Sequence, residues 1–435
     1  MLLRKPLIHP TLIIALLMCI AASCLIVIKG ATNAISFVLS LFCAWRLFVE
    51  RGQWSCKNLD HALGFVLCLM APICTELFAQ LGQGQLRSAA FDGPSRFLLF
   101  IPVFLYLVTH TNSFPRVLTF FAFGSAVGII MVVVSLILFP EFYWGYRAAT
   151  YFVDPITLPT YTVVLFGIFV FVDPFFNRRV VGFTLNVFLL VCVGFVCLES
   201  ASRTSWLAMI GLCIVWATFK LRISLVKLVA LFGLTVLGLI GLYSYNDNVA
   251  TRVDDAYMVV HIFLGGDAKI FAHTVQSSAV GHRIISFFVD LYLIKENLWF
   301  GVQDSGIPPY HQIQAAVPLL TPEIFEIKRL AGSHSEYLAQ LVQKGLILGG
   351  LHLFAIYLYP LYLVFRYRRH GTSRTDPNIF GFLGVWIPLA IASLTIQIFN
   401  LKMTSSFYGL CLTIFVAAIL SRPSIVSEGK ALNRN

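Results

Sequence analysis

Charge is scarce in this sequence. Only 12% of its 435 residues are Asp, Glu, Lys or Arg, 58% are hydrophobic, and the mean hydropathy is +0.84. A soluble globular domain carries about twice that share of charge, so that class is excluded. The ten cysteines lie mostly inside apolar runs and form no C-x-x-C pair. Neither a disulfide framework nor a structural zinc site is indicated. Also missing are a P-loop, a dinucleotide fingerprint and a D-x-D motif between the spans on the outer side. ATP-driven or redox chemistry therefore has no support, and no metal or cofactor is implied. A compact basic domain is lacking as well, which speaks against nucleic-acid binding. The net charge of +11 has a topological explanation instead, because Lys and Arg accumulate in cytoplasmic loops.

What the chain has is apolar runs. At roughly 20 residues per span, about twelve fit: near 11–29, 32–50, 61–80, 96–110, 116–139, 156–174, 180–198, 204–219, 224–244, 336–366, 378–399 and 403–421. The expected fold is an all-α polytopic membrane protein. Its first helix is expected to stay uncleaved: "AASC" at 21–24 resembles a lipoprotein cleavage site, but Ala21 stands where a larger aliphatic residue is usual. The run from 336 is too long for one straight span. It is expected to start as an amphipathic helix outside the bilayer core and then insert.

An even number of spans puts both termini on one side. Arg51, Lys57, Arg178, Arg179, Lys220, Arg222, Lys227, Arg366, Arg368, Arg369 and Arg374 share that side with two basic tails. It is therefore read as cytoplasmic. Spans occupy 1–244 and 334–421, a cytoplasmic tail 422–435, and one long hydrophilic loop 245–333 falls outside the cytoplasm. The loop is too long to be a passive connection. Within it, 249–266 reads as one amphipathic helix. The stretch 279–301 reads as another, with Ile284, Ile285, Phe288, Leu291 and Ile294 forming an apolar face.

The outer side gathers cations where the charge bias least expects them. They are Arg96 in "DGPSRFLL", Arg147 in "GYRAATYFVDPI", Arg203 in "ESASRTSWLA", and Arg283 at the start of the second loop helix. A lone arginine at a span edge commonly snorkels to headgroups. Several converging on one cavity would suit a diphosphate, because each guanidinium is a permanent, two-pronged donor. His334 opens the tenth span in "GSHSEYLAQLVQKG", where Ser333 and Glu336 have the S-x-x-E spacing of a capping box and would put His334 at the first helical position. Cationic neighbours and the helix N-terminus disfavour imidazolium, which would keep His334 neutral and able to accept a proton. His282 is left out of this core set. Asp92 and Glu199 stand isolated, and the adjacent Asp254 and Asp255 diverge on a helix.

"SASRTSWLA", "GHRIISFFVDLYLIKENLWFGV" and "SHSEYLAQLVQKGLILGG" together resemble the bacterial O-antigen ligase family, as do "DGPSRFLLFIP" and "RAATYFVDPI". Each motif alone is degenerate; their order and spacing are more specific. The resemblance implies an inner-membrane glycosyltransferase of the C-type fold, inverting and metal-independent, with its active site at the periplasmic face. It implies transfer of O-antigen from undecaprenyl diphosphate to a hydroxyl of lipid A–core oligosaccharide. It also implies catalytic roles for Arg203, Arg283 and His334, with Arg147 and Arg96 as further substrate-binding candidates. Ser335 replaces the family's usual asparagine after the histidine.

Three rivals remain open. An O-antigen polymerase shares the donor but commonly has two sizeable periplasmic loops. A protein O-oligosaccharyltransferase is usually longer at its C-terminus. A flippase or transporter of lipid-linked sugars is expected to show charges buried within spans and repeated halves, and neither is evident in the sequence.

Overall fold

The apolar runs become packed helices in the computed structural model of the chain. It describes residues 9–50, 59–84, 86–110, 114–145, 147–175, 179–220, 279–302, 307–369, 376–400 and 402–421, with scattered positions between 233 and 261. Among the described residues the protein is all-α, apart from an isolated bridge between Trp144 and Arg147. The helices are α1 (Pro10–Cys24), α2 (Ala31–Val49), α3 (Leu59–Gly82), α4 (Phe100–Thr109), α5 (Phe114–Leu138), α6 (Thr157–Val172), α7 (Arg179–Glu199) and α8 (Arg203–Val215). After the loop region come α9 (Ala279–Glu296), α10 (Tyr310–Ala316), α11 (Pro322–Ala331), α12 (Glu336–Leu353), α13 (Tyr359–Arg369), α14 (Pro377–Ala392) and α15 (Lys402–Leu420).

Among the described residues, seven helical stretches are long and apolar enough to cross a membrane, and four shorter apolar helices fall on further expected spans. The chain is thus a helical membrane protein of many passes. The expected ninth span, most of the helix at 249–266 and the tail at 422–435 lie outside the described residues. Two spans differ from expectation. The stretch read as 96–110 is preceded by short helical turns from Ser88 to Leu99. The stretch read as 378–399 stops at Ala392, after which the chain turns under the start of α12. There Ser393 and Ile396 carbonyls both accept the Glu336 N–H, at 2.9 and 3.1 Å.

Helices α6 and α15 form the centre. Every residue of α15 from Met403 to Leu420 is buried, as is α6 from Thr157 to Phe171. A helix apolar on all sides must be ringed by others. Close packing is secured by small residues: a Cβ on Gly167 of α6 would lie 2.4 Å from the Gly384 carbonyl of α14. Backbone-to-backbone approach of this kind replaces the hydrophobic drive that lipid surroundings remove. The peripheral helices α2, α3 and α7 instead expose large apolar side chains such as Phe48, Leu67 and Phe183.

The loop region builds a second, smaller core from Ile285, Val289, Leu293, Ile313, Leu320 and Ile324, joined by Val342 of α12. This corrects the expected apolar face of α9. The buried stripe is Ile285–Val289–Leu293, at i, i+4, i+8, while Phe288 and Leu291 are exposed. The helix is apolar on two faces, so its period alone could not say which one the neighbouring helices cover.

Helix α12 breaks at Gly345, whose φ of 70° and ψ of −177° are non-helical. A left-handed φ of that size is open to glycine at little cost. The tip of the break inserts against the end of the loop region: Leu346 donates to Leu298 O at 2.7 Å and Val302 to Val342 O at 2.6 Å. The long run is thus two helical pieces rather than one straight helix. Beyond the break, a π-helical turn, Phe354–Leu358, leads into α13.

Candidate functional site

The start of α12 is not capped as the sequence pattern implied. Ser335 is the N-cap, its hydroxyl accepting from Leu338 N, and the helix begins at Glu336. His334 therefore precedes the helix. Ser333 is drawn away by a buried pair: its Oγ donates to Asp290 Oδ1 at 2.7 Å and accepts from Lys328 Nζ at 3.0 Å. Lys328 itself is salt-bridged to Asp290. Glu336 does not close a capping box either. It is fully buried and accepts from Gln340 Nε2 at 2.7 Å and Phe399 N at 3.2 Å. Ser335 Oγ also donates to Ser393 O at 3.0 Å. The His334 segment is thus pinned to the loop region on one side and to the end of α14 on the other.

These constraints place His334 in the wall of a cavity of about 380 Å³. Arg283, one helical face of α9, Ser335, Leu338, Leu394 and Thr395 complete most of its lining. Its surface is largely apolar, contributed by Val280, Ile284, Phe287 and Phe288, with Arg283, Asp290 and His334 as the ionisable groups. Burial, then the positive charges of Arg283, Lys328 and His282, holds the His334 pKa down from 6.5 to about 4. The imidazole is neutral throughout the ordinary pH range. Desolvation is the largest cause and the neighbouring cations add to it. Burial also raises Asp290 and lowers Lys328, each partly offset by the other's charge.

The other expected arginines sit differently. Arg203 is the first residue of α8, and Thr204 Oγ1 lies 2.6 Å from Thr395 Oγ1 in the cavity wall. Arg203 thus stands at the same corner but outside the lining. The turn before it carries Ala201 at φ 48°, an uncommon left-handed position for a residue with a Cβ. Arg147 helps hold that turn, its Nε donating to Ser200 O at 2.9 Å, and Ala148 N bonds Glu199 O at 2.9 Å. Arg147 is in position to support Arg203. Arg96 lies in the turn Arg96–Leu99, one turn after Asp92, and lines neither this cavity nor the next. The arrangement brings Arg283 and His334 together, sets Arg203 beside them with Arg147 behind it, and keeps Arg96 apart.

A second cavity, of about 520 Å³, opens on the other face of α12. Asp92, not isolated after all, pairs there with Lys402 at 2.5 Å, and Lys344 pairs with Glu76 at 3.0 Å. Lys344 and Glu76 are charges buried within apolar helices, contrary to the expectation of none. They neutralise each other, which is how such groups persist in a bilayer. The residues that sequence reading missed are Asp290, Lys328, Glu76, Lys344 and His352. A lone carboxylate in the apolar stretch "SFFVDLYL" was the visible signal for Asp290. Nothing local could pair it with Lys328.

Among the described residues no cluster of three or more His, Cys, Asp or Glu is placed to hold a metal ion. No protein-family model matches the chain, and no curated protein matches it.

Proposed function

We propose that this protein is a membrane glycosyltransferase that moves a glycan from a lipid diphosphate to a hydroxyl of a second glycolipid. In its most specific form the reading is O-antigen ligation, from undecaprenyl diphosphate to lipid A–core oligosaccharide. It takes place at the periplasmic face of the bacterial inner membrane, with both termini cytoplasmic. The observation that carries it is the joint placement of Arg283 and neutral His334 in one largely apolar cavity.

The chemistry follows from those two groups. An apolar wall suits the prenyl part of the donor, and the Arg283 fork suits its diphosphate. The acceptor oxygen attacks the anomeric carbon while the bond from that carbon to diphosphate oxygen breaks. His334 takes the hydroxyl proton and later releases it to water. Diphosphate is already a good leaving group, so positive charge from Arg283, with Arg203 at the corner, is the main help it needs.

The test is reconstitution in lipid vesicles with purified undecaprenyl diphosphate-linked O-antigen and lipid A–core, without nucleotide, with and without EDTA. The expected result is a joined product at the same rate in both. Elongated donor formed without lipid A–core would mark a polymerase. Movement of intact donor between leaflets without a new glycosidic bond would mark a transporter. No product from folded protein would refute the transferase reading.

A further inference from the structure

We propose that the second cavity is a saccharide subsite that takes a neutral, hydroxyl-rich glycan. The inference rests on the transferase reading above and adds the place where a sugar chain lies.

The first turns of α12 and the 393–397 segment divide the two cavities. Ser335, Leu338 and Thr395 face the first, whereas Glu336, Ala339, Gln340 and Gln397 face the second. His334 stands at the end of this partition. The second cavity runs inward from the Asp92–Lys402 pair, whose side chains are 44% and 52% exposed, to Lys344 and His352, at 2% and 3%. It is therefore a channel from the surface toward a buried floor, within the usual size of small-molecule sites.

Its charges balance. Asp92, Glu76 and Glu336 face Lys402, Lys344 and Arg87, and both lysines are bonded to carboxylates. The site thus has no excess of either sign with which to select an ion. What remains unmet is hydrogen bonding. Lys344 Nζ lies 3.1 Å from His352 Nδ1, and an ammonium has only hydrogens to offer, so Nδ1 accepts and Nε2 carries the proton. That Nε2–H is buried and without an acceptor among the described residues. Gln340, whose Nε2 is committed to Glu336, leaves Oε1 as an unmet acceptor, and Gln397 Nε2 is unmet as well. Buried polar atoms of both kinds are costly unless something satisfies them. A hydroxyl both donates and accepts, so a polyol suits polar groups of both kinds along this wall. An anion would find no net positive charge here, and a lipid chain would leave the amides unsatisfied. The sugar could come from the acceptor glycolipid or from the glycan end of the donor.

The test uses full-length protein in nanodiscs and the variants Gln397→Leu and Gln343→Leu, which remove lining amides. Ligation kinetics are measured with each substrate varied in turn, together with thermal stability. A rise of about 3–10-fold in one KM per variant, at near-normal kcat and stability, supports the subsite. A rise for lipid A–core assigns the acceptor glycan, and a rise for the lipid-linked substrate assigns the donor glycan. Unchanged KM for both in folded variants overturns the proposal and leaves a water-filled cavity. Absence of ligation by the unaltered protein would instead refute the transferase reading. The cavity is then read separately by equilibrium dialysis of tritiated deacylated core oligosaccharide and of tritiated delipidated donor glycan. Retention of either, lost in Gln397→Leu, supports the subsite; retention of neither overturns it.

Discussion

Replacing His334 by glutamine distinguishes a base from a residue that merely starts a helix. Glutamine keeps hydrogen-bonding atoms of similar reach but has no useful basicity. The structure supplies the magnitude. A histidine pKa held at about 4 rather than 6.5 means that the site disfavours imidazolium by about 3 kcal/mol. Two consequences follow. The first concerns rate: loss of a general base is expected to slow transfer roughly 10²–10⁴-fold, measured in single turnovers at saturating donor. In the unaltered enzyme the acidic limb of kcat/KM for the free protein should lie near pH 4. Bound diphosphate offsets the Arg283 charge, so the limb of kcat should lie at higher pH. The second concerns stability. The folded pKa is lowered, so the unfolded chain takes up a proton first as pH falls. This contribution is complete above about pH 6.5 and is lost as pH drops toward 4, by at most about 3 kcal/mol. His334→Gln should remove that pH dependence and be as stable as its parent at low pH or more so. A stable His334→Gln protein with near-normal turnover, or one retaining the same acidic limb, would refute the base.

Other outcomes follow from the same geometry. Arg283→Lys and Arg203→Lys keep charge but lose the two-pronged fork; each should slow ligation roughly ten- to a hundred-fold, with Arg283→Lys the more severe, and near-normal rates would indicate headgroup snorkelling. Lys328→Met strands the buried Asp290 carboxylate and should cost about 3–5 kcal/mol in thermal or denaturant unfolding, whereas Lys328→Met with Asp290→Leu should recover much of it; equal losses would mean the pair is not coupled. Gly345→Ala meets backbone 2.4 Å away at Trp299 and Phe300 and should destabilise by at least about 2 kcal/mol, while Gly350→Ala, with open space around its Cβ, should not. Single cysteines near Lys220 and Arg369 should react with impermeant reagent only from the cytoplasmic side, and one in the 279–333 region only from the other; labelling of all three from one side would end the shared-site argument.

Composition and hydropathy were enough to determine that this chain is an all-helical membrane protein, and to place most of its described spans within a few residues. Those are local properties: transfer energy per residue, helical period and loop charge all act over about one span. The pairing of a basic fork with a histidine was legible too, because outward arginines and a helix-start histidine are unusual wherever they occur. What capped α12 was less legible, since Ser333 and Ser335 are equally good caps and Asp290, 43 positions before Ser333, decided between them. The face of α9 that is buried depended on which of two apolar stripes met α10–α12. The second cavity left no mark in the sequence at all. Its floor joins Thr75 to His352 across 277 positions, and its charges look like scattered exceptions until packing cancels them pairwise. Only the tertiary structure could decide that α12 has one face toward an apolar, cationic chamber and the other toward a polar one. The reason is that desolvation and charge balance belong to a group's neighbours in space, not to its neighbours in the chain.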